Sequence, residues 1–297
     1  MCYEQAKGNN PGRFRIQFWY MVSRPPVVLT VAGFDPSSGA GVTADIKTIA
    51  AHRCYGVGCI TSLTVQSTAG VRRVEPISPE LVMETLDELV SDVPFAAIHI
   101  GMLGTGGVVG AVAEFLGKQT AKNVVLDPVL KSSSGTDLLD AEGARLLVEK
   151  LIPLATVVTP NLDEASALTG LAVKNLDGMR AAAHKLHELG SPAVVITGGH
   201  LEQAIDLLSF QRGPGIDQEV FKSARLWSNS THGTGCAFAS ALACHLAFGR
   251  GLPEGVLLAK AYVAASIRHA HPLGRGTGPI HHLYRMQAEE TDAEAVQ

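Results

Sequence analysis

Cysteine is scarce in this sequence, and no apolar run is long enough to suggest a membrane span. Five cysteines occur among 297 residues, and no two of them form a C-x-x-C pair. So few, unpaired cysteines are typical of a cytosolic protein with reduced thiols, not of a disulfide framework or a cysteine-based zinc site. The apolar runs are interrupted by glycine or charge, which argues against a transmembrane helix.

The sequence also lacks an excess of charge of either sign. It has 24 basic and 28 acidic residues and a net charge of −4. This balance gives no electrostatic reason to expect nucleic acid or an anionic membrane as a partner. Hydrophobic residues make up 46% of the chain and charged residues 18%, which predicts a globular protein. The length is sufficient for one large α/β domain.

Only the two ends of the sequence depart from this globular pattern. Residues 1–26 mix charge, glycine and proline with the aromatic run Phe18–Tyr20, and they lack the features of a secretory signal. We expect them to form a disordered or peripheral extension, and we expect the acidic tail 286–297 to be frayed. Residues 27–285 contain no internal repeat and no linker, which predicts a single domain.

Strand-like and helix-like segments alternate throughout residues 27–285. The predicted parallel strands are 27–32, 56–63, 96–100, 123–126, 155–159 and 193–197, followed by an antiparallel pair at 204–210 and 219–226. Helices are predicted at 42–52, 81–90, 108–116, 141–150, 179–189, 236–248 and 253–269. This alternation predicts a mostly parallel sheet covered on both faces, with ligands bound where the strands end.

A glycine-rich turn at Asn229–Cys236 leads directly into an alanine-rich helix. A helix that begins in this way presents free backbone N–H groups and partial positive charge, which suit a phosphate or a developing oxyanion. Cys236 lies in the first turn of the helix, a position that lowers the pKa of a thiol. Because a free cysteine is more often a small buried apolar residue than a catalytic group, the local sequence leaves both roles open.

Three further groups of residues follow predicted strands, and each also has an ordinary structural explanation. The loop Gly33–Gly41, with Asp45 beyond it, suits a close ligand but equally a strand–helix connection. Gln66 offers a donor and an acceptor that match the edge of an aminated heteroaromatic ring, although a loop glutamine often bonds only to backbone. Asn161 and Glu164 on one helix face suit hydrated Mg²⁺ or, equally, an ordinary capping box.

Taken together, these residues resemble the hydroxymethylpyrimidine/phosphomethylpyrimidine kinases of thiamine biosynthesis, within the ribokinase-like family. The likeness extends through most of 27–285 and is specific, because several motifs occur in one order, each at a strand end. The motifs are Thr30–Asp45 (TVAGFDPSSGAGVTAD), Thr61–Gln66 (TSLTVQ), Gly101–Gly104 (GMLG), Leu126–Val129 (LDPV), Thr159–Glu164 (TPNLDE), Thr197–His200 (TGGH) and Thr231–Cys236 (THGTGC). The resemblance implies a three-layer α/β/α sandwich with a mostly parallel central sheet, and an activity that depends on ATP and Mg²⁺.

The resemblance also implies which residues contact a pyrimidine substrate. Asp45 and Gln66 would bind its polar edge. Gly33 and Thr64 would contribute backbone contacts, and Met102 would pack on the ring. An aminopyrimidine needs such a donor–acceptor edge between apolar faces.

For phosphoryl transfer, the resemblance implies that Gly233, Thr234 and Gly235 cradle the transferring group. Cys236 would act as the base for the substrate hydroxymethyl group. Backbone N–H groups at a helix start supply the charge neutralisation that this reaction requires. The nucleotide side would consist of Asn161, Thr197, Gly198, Gly199, Thr231 and His232, and Mg²⁺ would be supported through water by Asp127 and Glu164. A homodimer is a further expectation from the family.

Other functions remain as alternatives. A pyridoxal or pyridoxine kinase is the nearest, because a related pocket accepts a hydroxymethyl-bearing pyridine and some relatives share the Gly-Thr-Gly-Cys turn. A non-catalytic pyrimidine sensor could lose this turn without penalty, so its presence favours an enzyme. A sugar or adenosine kinase is disfavoured because Cys236 stands where most such enzymes have aspartate. The sequence departs from the family pattern at Phe34 and Ser38, where a small polar residue and a glycine are more usual.

Overall fold

The computed structural model describes residues 24–119, 123–199 and 204–286. Most of the expected N-terminal extension (1–23) and of the acidic tail (287–297) lies outside the described residues. The described residues therefore include the expected domain, 27–285, except residues 120–122 and 200–203.

Nine strands form one sheet within the described residues. Along the chain they are β1 (Val27–Phe34), β2 (Tyr55–Ser67), β3 (Gly70–Pro76), β4 (Ala97–Ile100), β5 (Val124–Leu126), β6 (Val157–Val158), β7 (Ala193–Gly198), β8 (Ala204–Arg212) and β9 (Gly215–Ser223). Their order across the sheet is β3-β2-β1-β4-β5-β6-β7-β8-β9. Strands β2 to β7 in this order are parallel, while β3, β8 and β9 pair antiparallel at the two edges.

Helices cover both faces of the sheet. They are α1 (Gly41–Ala51), α2 (Pro79–Asp92), α3 (Gly106–Lys118), α4 (Ala141–Leu146), α5 (Leu162–Thr169), α6 (Leu176–Glu188), α7 (Thr234–Ala247) and α8 (Leu252–Arg268). One apolar core contains buried residues of α2, α3, α5 and α6, and a second core contains those of α1, α7 and α8. The expected three-layer α/β/α sandwich is therefore confirmed.

The inner strands are apolar on both sides because each face of the sheet is covered by helices. All four residues of β4 are buried, as are all three of β5. The parallel strands end along one edge of the sheet, and the loops that leave this edge precede α1, α3, α5 and α7. This arrangement gathers distant motifs at one place.

The structure differs from the predicted elements mainly at the hairpin of β2 and β3. The sequence predicts a strand at 56–63 followed by a loop, whereas β2 continues to Ser67 and pairs with β3. Gln66 therefore lies in a strand, not in a loop. The predicted helix 141–150 is also shorter, since α4 ends at Leu146 and one π-helical turn, Leu147–Leu151, follows. Among the helices in the described ranges, none is both long and apolar enough to cross a membrane.

Candidate active site

Two glycine-rich loops meet at the edge of the sheet where the parallel strands end. Gly233, at the N-cap of α7, has φ +82°, and a Cβ atom there would lie 1.8 Å from the carbonyl oxygen of Gly39. A Cβ on Gly39 would in turn lie 2.2 Å from Cδ2 of His232. Because no larger residue fits at either position, the glycines allow the loop after β1 to touch the turn before α7.

Asp35 organises this contact. Its carboxylate accepts hydrogen bonds from the backbone N–H groups of Ser37 (2.8 Å) and Ala40 (2.9 Å), and from Nε2 of His232 at 2.9 Å. Burial on its own would raise the pKa of Asp35, but the hydrogen bonds from His232 and Ser37 outweigh it and hold the pKa below its usual value. Asp35 is therefore an ionised group that links the two loops.

Gln66 reaches the same place from β2. Thr64 and Gln66 are two residues apart in a strand and so project from the same face. The Thr64 hydroxyl lies 3.0 Å from the carbonyl oxygen of Phe34 and 3.1 Å from Oε1 of Gln66. Nε2 of Gln66 lies 3.3 Å from Nε2 of His232. Gln66 and His232 border a cavity of about 150 Å³, which we call the hairpin cavity; it is lined by Gln66–Val71, Ser132–Ser134, His232, Gly276 and Thr277.

Gly33 and Met102 are also brought together. A Cβ atom on Gly33 would lie 2.7 Å from Sδ of Met102. Met102 is buried, and its carbonyl oxygen accepts a 2.5 Å hydrogen bond from the Thr61 hydroxyl. The absence of a side chain at Gly33 therefore leaves room for the methionine, which lies where β4 ends.

Asp45 lies beneath this surface rather than on it. Its carboxylate is fully buried and accepts hydrogen bonds from the hydroxyls of Thr30 and Ser240, each at 2.7 Å. Nδ1 of His99 lies 3.3 Å from the same carboxylate. Burial opposes protonation of His99, but the neighbouring Asp45 outweighs it and raises the pKa of the imidazole. Both carboxylate oxygens of Asp45 are thus engaged by the protein itself.

A second cavity, of about 340 Å³, lies on the other side of the turn before α7, and we call it the helix cavity. Its polar wall is lined by Asn161, Thr197, Gly199, Thr231, Thr234 and Gly235, and its apolar wall by Leu226, Trp227, Phe238, Val263, Ala264 and Ile267. A buried ion pair between Lys260 and Asp206, 2.6 Å apart, also borders it. The N–H of Gly198 donates to Asp206 at 3.0 Å, so Gly198 supports this cavity from behind.

Cys236 lies against a group of buried carboxylates. Burial, with Asp127 and Asp45 as further causes, raises the pKa of its thiol well above the usual value. The expectation of a lowered thiol pKa was therefore wrong, because the helix start is outweighed by negative charge that other strands bring beside it. Cys236 is a neutral thiol that lies beside the Asp127 carboxylate.

Asp127 and Glu164 are the two residues of this group that suit a hydrated divalent cation. Burial raises the pKa of Asp127 to about 6. Burial and the charge of Asp127 raise the pKa of Glu164 to about 8. Two carboxylates that repel each other in this way are a donor set that Mg²⁺ would stabilise. In the part of the chain that the structure describes, no three His, Cys, Asp or Glu side chains form a direct metal site. Because Mg²⁺ usually keeps several of its waters, these two carboxylates would support it through water.

Asn161 and Glu164 also form the capping box that was the ordinary explanation of their spacing. Oδ1 of Asn161 accepts from the N–H of Glu164 at 2.9 Å, and Oε2 of Glu164 accepts from the N–H of Asn161 at 2.9 Å. Capping uses only part of each side chain. Asn161 still lines the helix cavity.

The sequence matches a family of known enzymes over nearly the whole described region. The family model for phosphomethylpyrimidine kinase matches residues 35–281. The chain belongs to this family. It is 37% identical to the hydroxymethylpyrimidine/phosphomethylpyrimidine kinase of Staphylococcus aureus strain MSSA476, over 91% of this chain and 98% of that protein. It is 43% identical to the thiamine biosynthesis bifunctional protein ThiED of Geobacter sulfurreducens, covering 86% of this chain but only 52% of that longer protein.

Solved structures place the fold among ribokinase-like kinases. A phosphomethylpyrimidine kinase from Clostridium difficile superimposes with a TM-score of 0.72 at 35% identity, covering 82% of this chain and 99% of that one. An ADP complex of Bacillus subtilis pyridoxal kinase superimposes with a TM-score of 0.80, also at 35% identity, covering 89% and 99%. The chain is thus a phosphotransferase of the family, and both kinds of vitamin kinase share its architecture.

Within this phosphomethylpyrimidine kinase fold, eight of the expected site residues line one of the two cavities, and six of them, Asn161, Thr197, Gly199, Thr231, Thr234 and Gly235, line the helix cavity. Gln66 and His232 border the hairpin cavity, although the sequence assigned His232 to the nucleotide side. Nine expected site residues line neither cavity: Gly33, Asp45, Thr64, Met102, Asp127, Glu164, Gly198, Gly233 and Cys236. Ser38, at a position where the family more often has glycine, has φ +59°, a left-handed conformation that favours glycine.

The sequence analysis missed His99 and Ser240, whereas Asp35 lies in the loop Gly33–Gly41 that it singled out, although Asp35 received no role of its own. Asp35 follows a strand directly, as the other polar site residues do, and that position was the one available signal. His99 lies inside β4 and Ser240 inside α7, in apolar surroundings. Nothing local distinguishes such residues from ordinary core positions.

Proposed function

We propose that this chain transfers the γ-phosphoryl group of ATP to the hydroxymethyl group of 4-amino-5-hydroxymethyl-2-methylpyrimidine, and then to the resulting monophosphate, in thiamine biosynthesis. The observation that carries this proposal is that one turn borders both cavities. His232 lines the hairpin cavity, while Thr231, Thr234 and Gly235 line the helix cavity. A phosphoryl group bound at this turn can therefore pass from a nucleotide on one side to an acceptor on the other.

The nucleotide would occupy the helix cavity. Its base would lie against the apolar wall formed by Val263 and Ile267, and its phosphates would point to the start of α7 at Gly235. The N–H groups at that helix start favour negative charge in a fixed geometry. Asp127 and Glu164 would hold Mg²⁺ through water, and the cation would neutralise charge on the phosphates.

The pyrimidine would occupy the hairpin cavity and the adjoining surface. Gln66 would read its aminated edge, with Gly33, Thr64 and Met102 beside the ring. Asp45 would act from beneath the surface, since Thr30, Ser240 and His99 engage its carboxylate. We therefore propose a supporting role for Asp45 instead of direct contact.

Cys236 would position the hydroxymethyl oxygen and take part in its deprotonation as a neutral thiol. Phosphoryl transfer proceeds through a loose transition state, so the attacking hydroxyl needs alignment more than a strong base. Because Cys236 lies beside Asp127, the proton leaving the substrate would move through the thiol onto that carboxylate. Cys236→Ala should lower kcat while leaving pyrimidine binding nearly unchanged. An unchanged kcat would remove Cys236 from the reaction.

One assay tests the substrate assignment directly. ATP turnover is measured in parallel with the aminopyrimidine, its monophosphate and pyridoxal. We expect the two pyrimidines to be phosphorylated with the higher kcat/KM. A preference for pyridoxal of more than about tenfold, about 1.4 kcal/mol in transition-state terms, would overturn the proposal.

Pyridoxal kinase is the second candidate function. It is favoured by the likeness of the fold to the solved Bacillus subtilis pyridoxal kinase, at a TM-score of 0.80. The same parallel assay separates it from the first proposal, because the two candidates predict opposite orders of kcat/KM.

We also propose that the chain forms a homodimer. Leu63 and Val65 are about half exposed and project from the face of β2 opposite Thr64 and Gln66, where a second copy would cover them. Light scattering after gel filtration should give twice the monomer mass, and Val65→Asp should lower it. A monomeric wild-type protein at micromolar concentration would contradict the proposal.

A cytoplasmic location is proposed from the cysteines. Cys54, Cys59 and Cys244 are buried and free. Protein isolated from cells and unfolded in the presence of an alkylating agent should carry a label on every cysteine. A disulfide found in such a sample would argue against a reducing compartment.

A further inference from the structure

Hydrogen-bond donors and acceptors around His232 determine how the Gln66 amide must be oriented. Nε2 of His232 lies 2.9 Å from Oδ2 of Asp35, and a carboxylate can only accept. Nε2 of His232 therefore carries a proton that it donates to Asp35. This holds for the neutral imidazole and for the imidazolium alike.

When the Gln66 amide nitrogen faces His232, two hydrogen-bond donors face each other. Its Nε2, which is also a donor, lies 3.3 Å from Nε2 of His232. Its Oε1 lies 3.1 Å from the Thr64 hydroxyl, which has only one proton and is 3.0 Å from the carbonyl oxygen of Phe34. A half-turn of the amide exchanges its oxygen and nitrogen, two atoms that hydrogen bonding alone distinguishes.

After this half-turn every contact joins a donor to an acceptor. The amide oxygen of Gln66 shares the Nε2 proton of His232 with Asp35 in a bifurcated hydrogen bond, and its nitrogen donates to Thr64, which in turn donates to the carbonyl oxygen of Phe34. We propose that Asp35 and His232 hold the Gln66 amide in this orientation, and that this determines which ring edge the hairpin cavity accepts and in which direction. Asp35 and His232 are then positioning residues that act through Gln66.

The consequence for a substrate follows from the order of groups on its ring, and it rests on the proposed function. The remaining lone pair of the Gln66 oxygen would accept from the 4-amino group on the His232 side. The remaining amide proton would donate to the adjacent ring nitrogen on the Thr64 side. In the aminopyrimidine the hydroxymethyl group is attached to the carbon next to the one that bears the amino group. An amino group on the His232 side therefore directs the hydroxymethyl group toward the turn that begins at Gly233.

If the Gln66 amide had the opposite orientation, the aminopyrimidine would not bind productively. With the amide reversed, the same ring would bind with its amino group on the Thr64 side and its hydroxymethyl group directed away from the turn. A 4-oxo analogue, which has an acceptor and a ring N–H where the substrate has a donor and an acceptor, would match the reversed amide without turning over. The fixed amide should therefore exclude the 4-oxo analogue from the orientation that directs its hydroxymethyl group to the turn, and a freely rotating amide should allow that orientation.

The test compares kcat/KM for the aminopyrimidine and its 4-oxo analogue in wild type and in variants, because kcat/KM reports only the productive orientation. We expect wild type to prefer the amino compound by roughly 100-fold. In the oxo analogue the two hydrogen bonds would be replaced by one contact between two acceptors and one contact between two donors. His232→Ala should reduce this preference to about tenfold or less, mainly by improving the oxo analogue. An unchanged preference in His232→Ala would overturn the proposal.

Two further variants separate positioning from general damage to the loop. Ser37→Ala removes a 2.7 Å hydrogen bond to Asp35 without touching His232, and it should keep the wild-type preference. In Gln66→Ala, adding His232→Ala should change the preference no further, because His232 acts through Gln66. An additional loss in the double variant would show that His232 contacts the ring itself, contrary to the proposal.

Asp35→Asn provides an independent route if His232→Ala does not fold. An amide at residue 35 can pair with either tautomer of His232, so the preference for the amino compound should fall severalfold; a wild-type preference would overturn the proposal. A failure of the proposed function would give a different result, because wild type itself would then not phosphorylate the aminopyrimidine. In that case this inference falls with it.

Discussion

Replacing Gly233 with alanine should abolish most of the activity by forcing the two glycine-rich loops apart. The new Cβ would lie 1.8 Å from the carbonyl oxygen of Gly39. Real Cβ atoms stay at least 3.0 Å from such an oxygen, so the loops would have to separate by the difference, about 1.2 Å. A misplacement of about 1 Å at a reacting centre can cost about 100-fold in rate. We therefore expect kcat/KM to fall by about 100-fold or more.

Gly249→Ala is a matched control for this substitution. Gly249 follows α7 at its other end and also has a positive φ, +76°, but a Cβ there would meet no atom within 4 Å. Both variants bear the backbone cost of a left-handed alanine, roughly 1–2 kcal/mol. Only Gly233→Ala adds the collision. The free energy of unfolding should fall in both, whereas kcat/KM should fall only in Gly233→Ala.

The measurements are steady-state ATP turnover with the aminopyrimidine and urea unfolding of each variant. If Gly233→Ala keeps kcat/KM within about threefold of wild type while remaining folded, the loops are not held together by this contact. The reasoning would then be wrong, because the turn would carry out its function without touching the loop after β1. If Gly249→Ala loses activity equally, backbone strain rather than the collision is the cause.

Three more predictions concern single side chains. Because burial and nearby carboxylates raise the pKa of its thiol, Cys236 should react with iodoacetamide at pH 7.5 more slowly than glutathione does, and peptide mapping that finds fast labelling would contradict this. Burial lowers the pKa of His52 to about 4, so this side chain stays neutral in the folded protein. In the unfolded protein it takes up a proton below pH 6.5, and stability is therefore lost as the pH falls from 6.5 toward 4. The drop in unfolding free energy between pH 7 and pH 5 should be smaller by roughly 2 kcal/mol in His52→Gln, and an equal drop in both proteins would refute the assignment. Trp227 is exposed and lines the helix cavity, so ADP should change the fluorescence of wild type but not of Trp227→Phe, and no change in wild type would place the nucleotide elsewhere.

The alternation of strands and helices was readable from the sequence because buried parallel strands are continuous apolar runs. Their ends could be located from the glycine, proline and polar residues that follow each run. Since the ends of parallel strands meet at one edge, the sequence also indicated that Gln66 lies near a bound ligand. In the structure Gln66 lies 3.3 Å from His232, a contact that the sequence analysis did not predict.

The hairpin and the electrostatics could not be predicted in the same way. β3 is an edge strand with Arg72 and Arg73 at exposed positions, so it lacks the apolar run that identifies a buried strand. The pKa of Cys236 depends on Asp127 and Asp45, which approach it from a different strand and a different helix. Local sequence reports a helix start, which lowers a thiol pKa, but it does not report charges that only the folded chain brings near.

The architecture separates the chemistry of transfer from the choice of acceptor. The turn at Gly233–Cys236 presents backbone N–H groups, which recognise a phosphoryl group whatever its acceptor is. In the proposed site the acceptor is recognised elsewhere, by the Gln66 amide, whose orientation depends on Asp35 and His232 on one side and on Thr64 on the other. Changing that orientation, or the cavity of about 150 Å³ beside it, would change the substrate while leaving the transfer machinery intact. A fold shared at equal identity with a phosphomethylpyrimidine kinase and a pyridoxal kinase is what such a separation predicts.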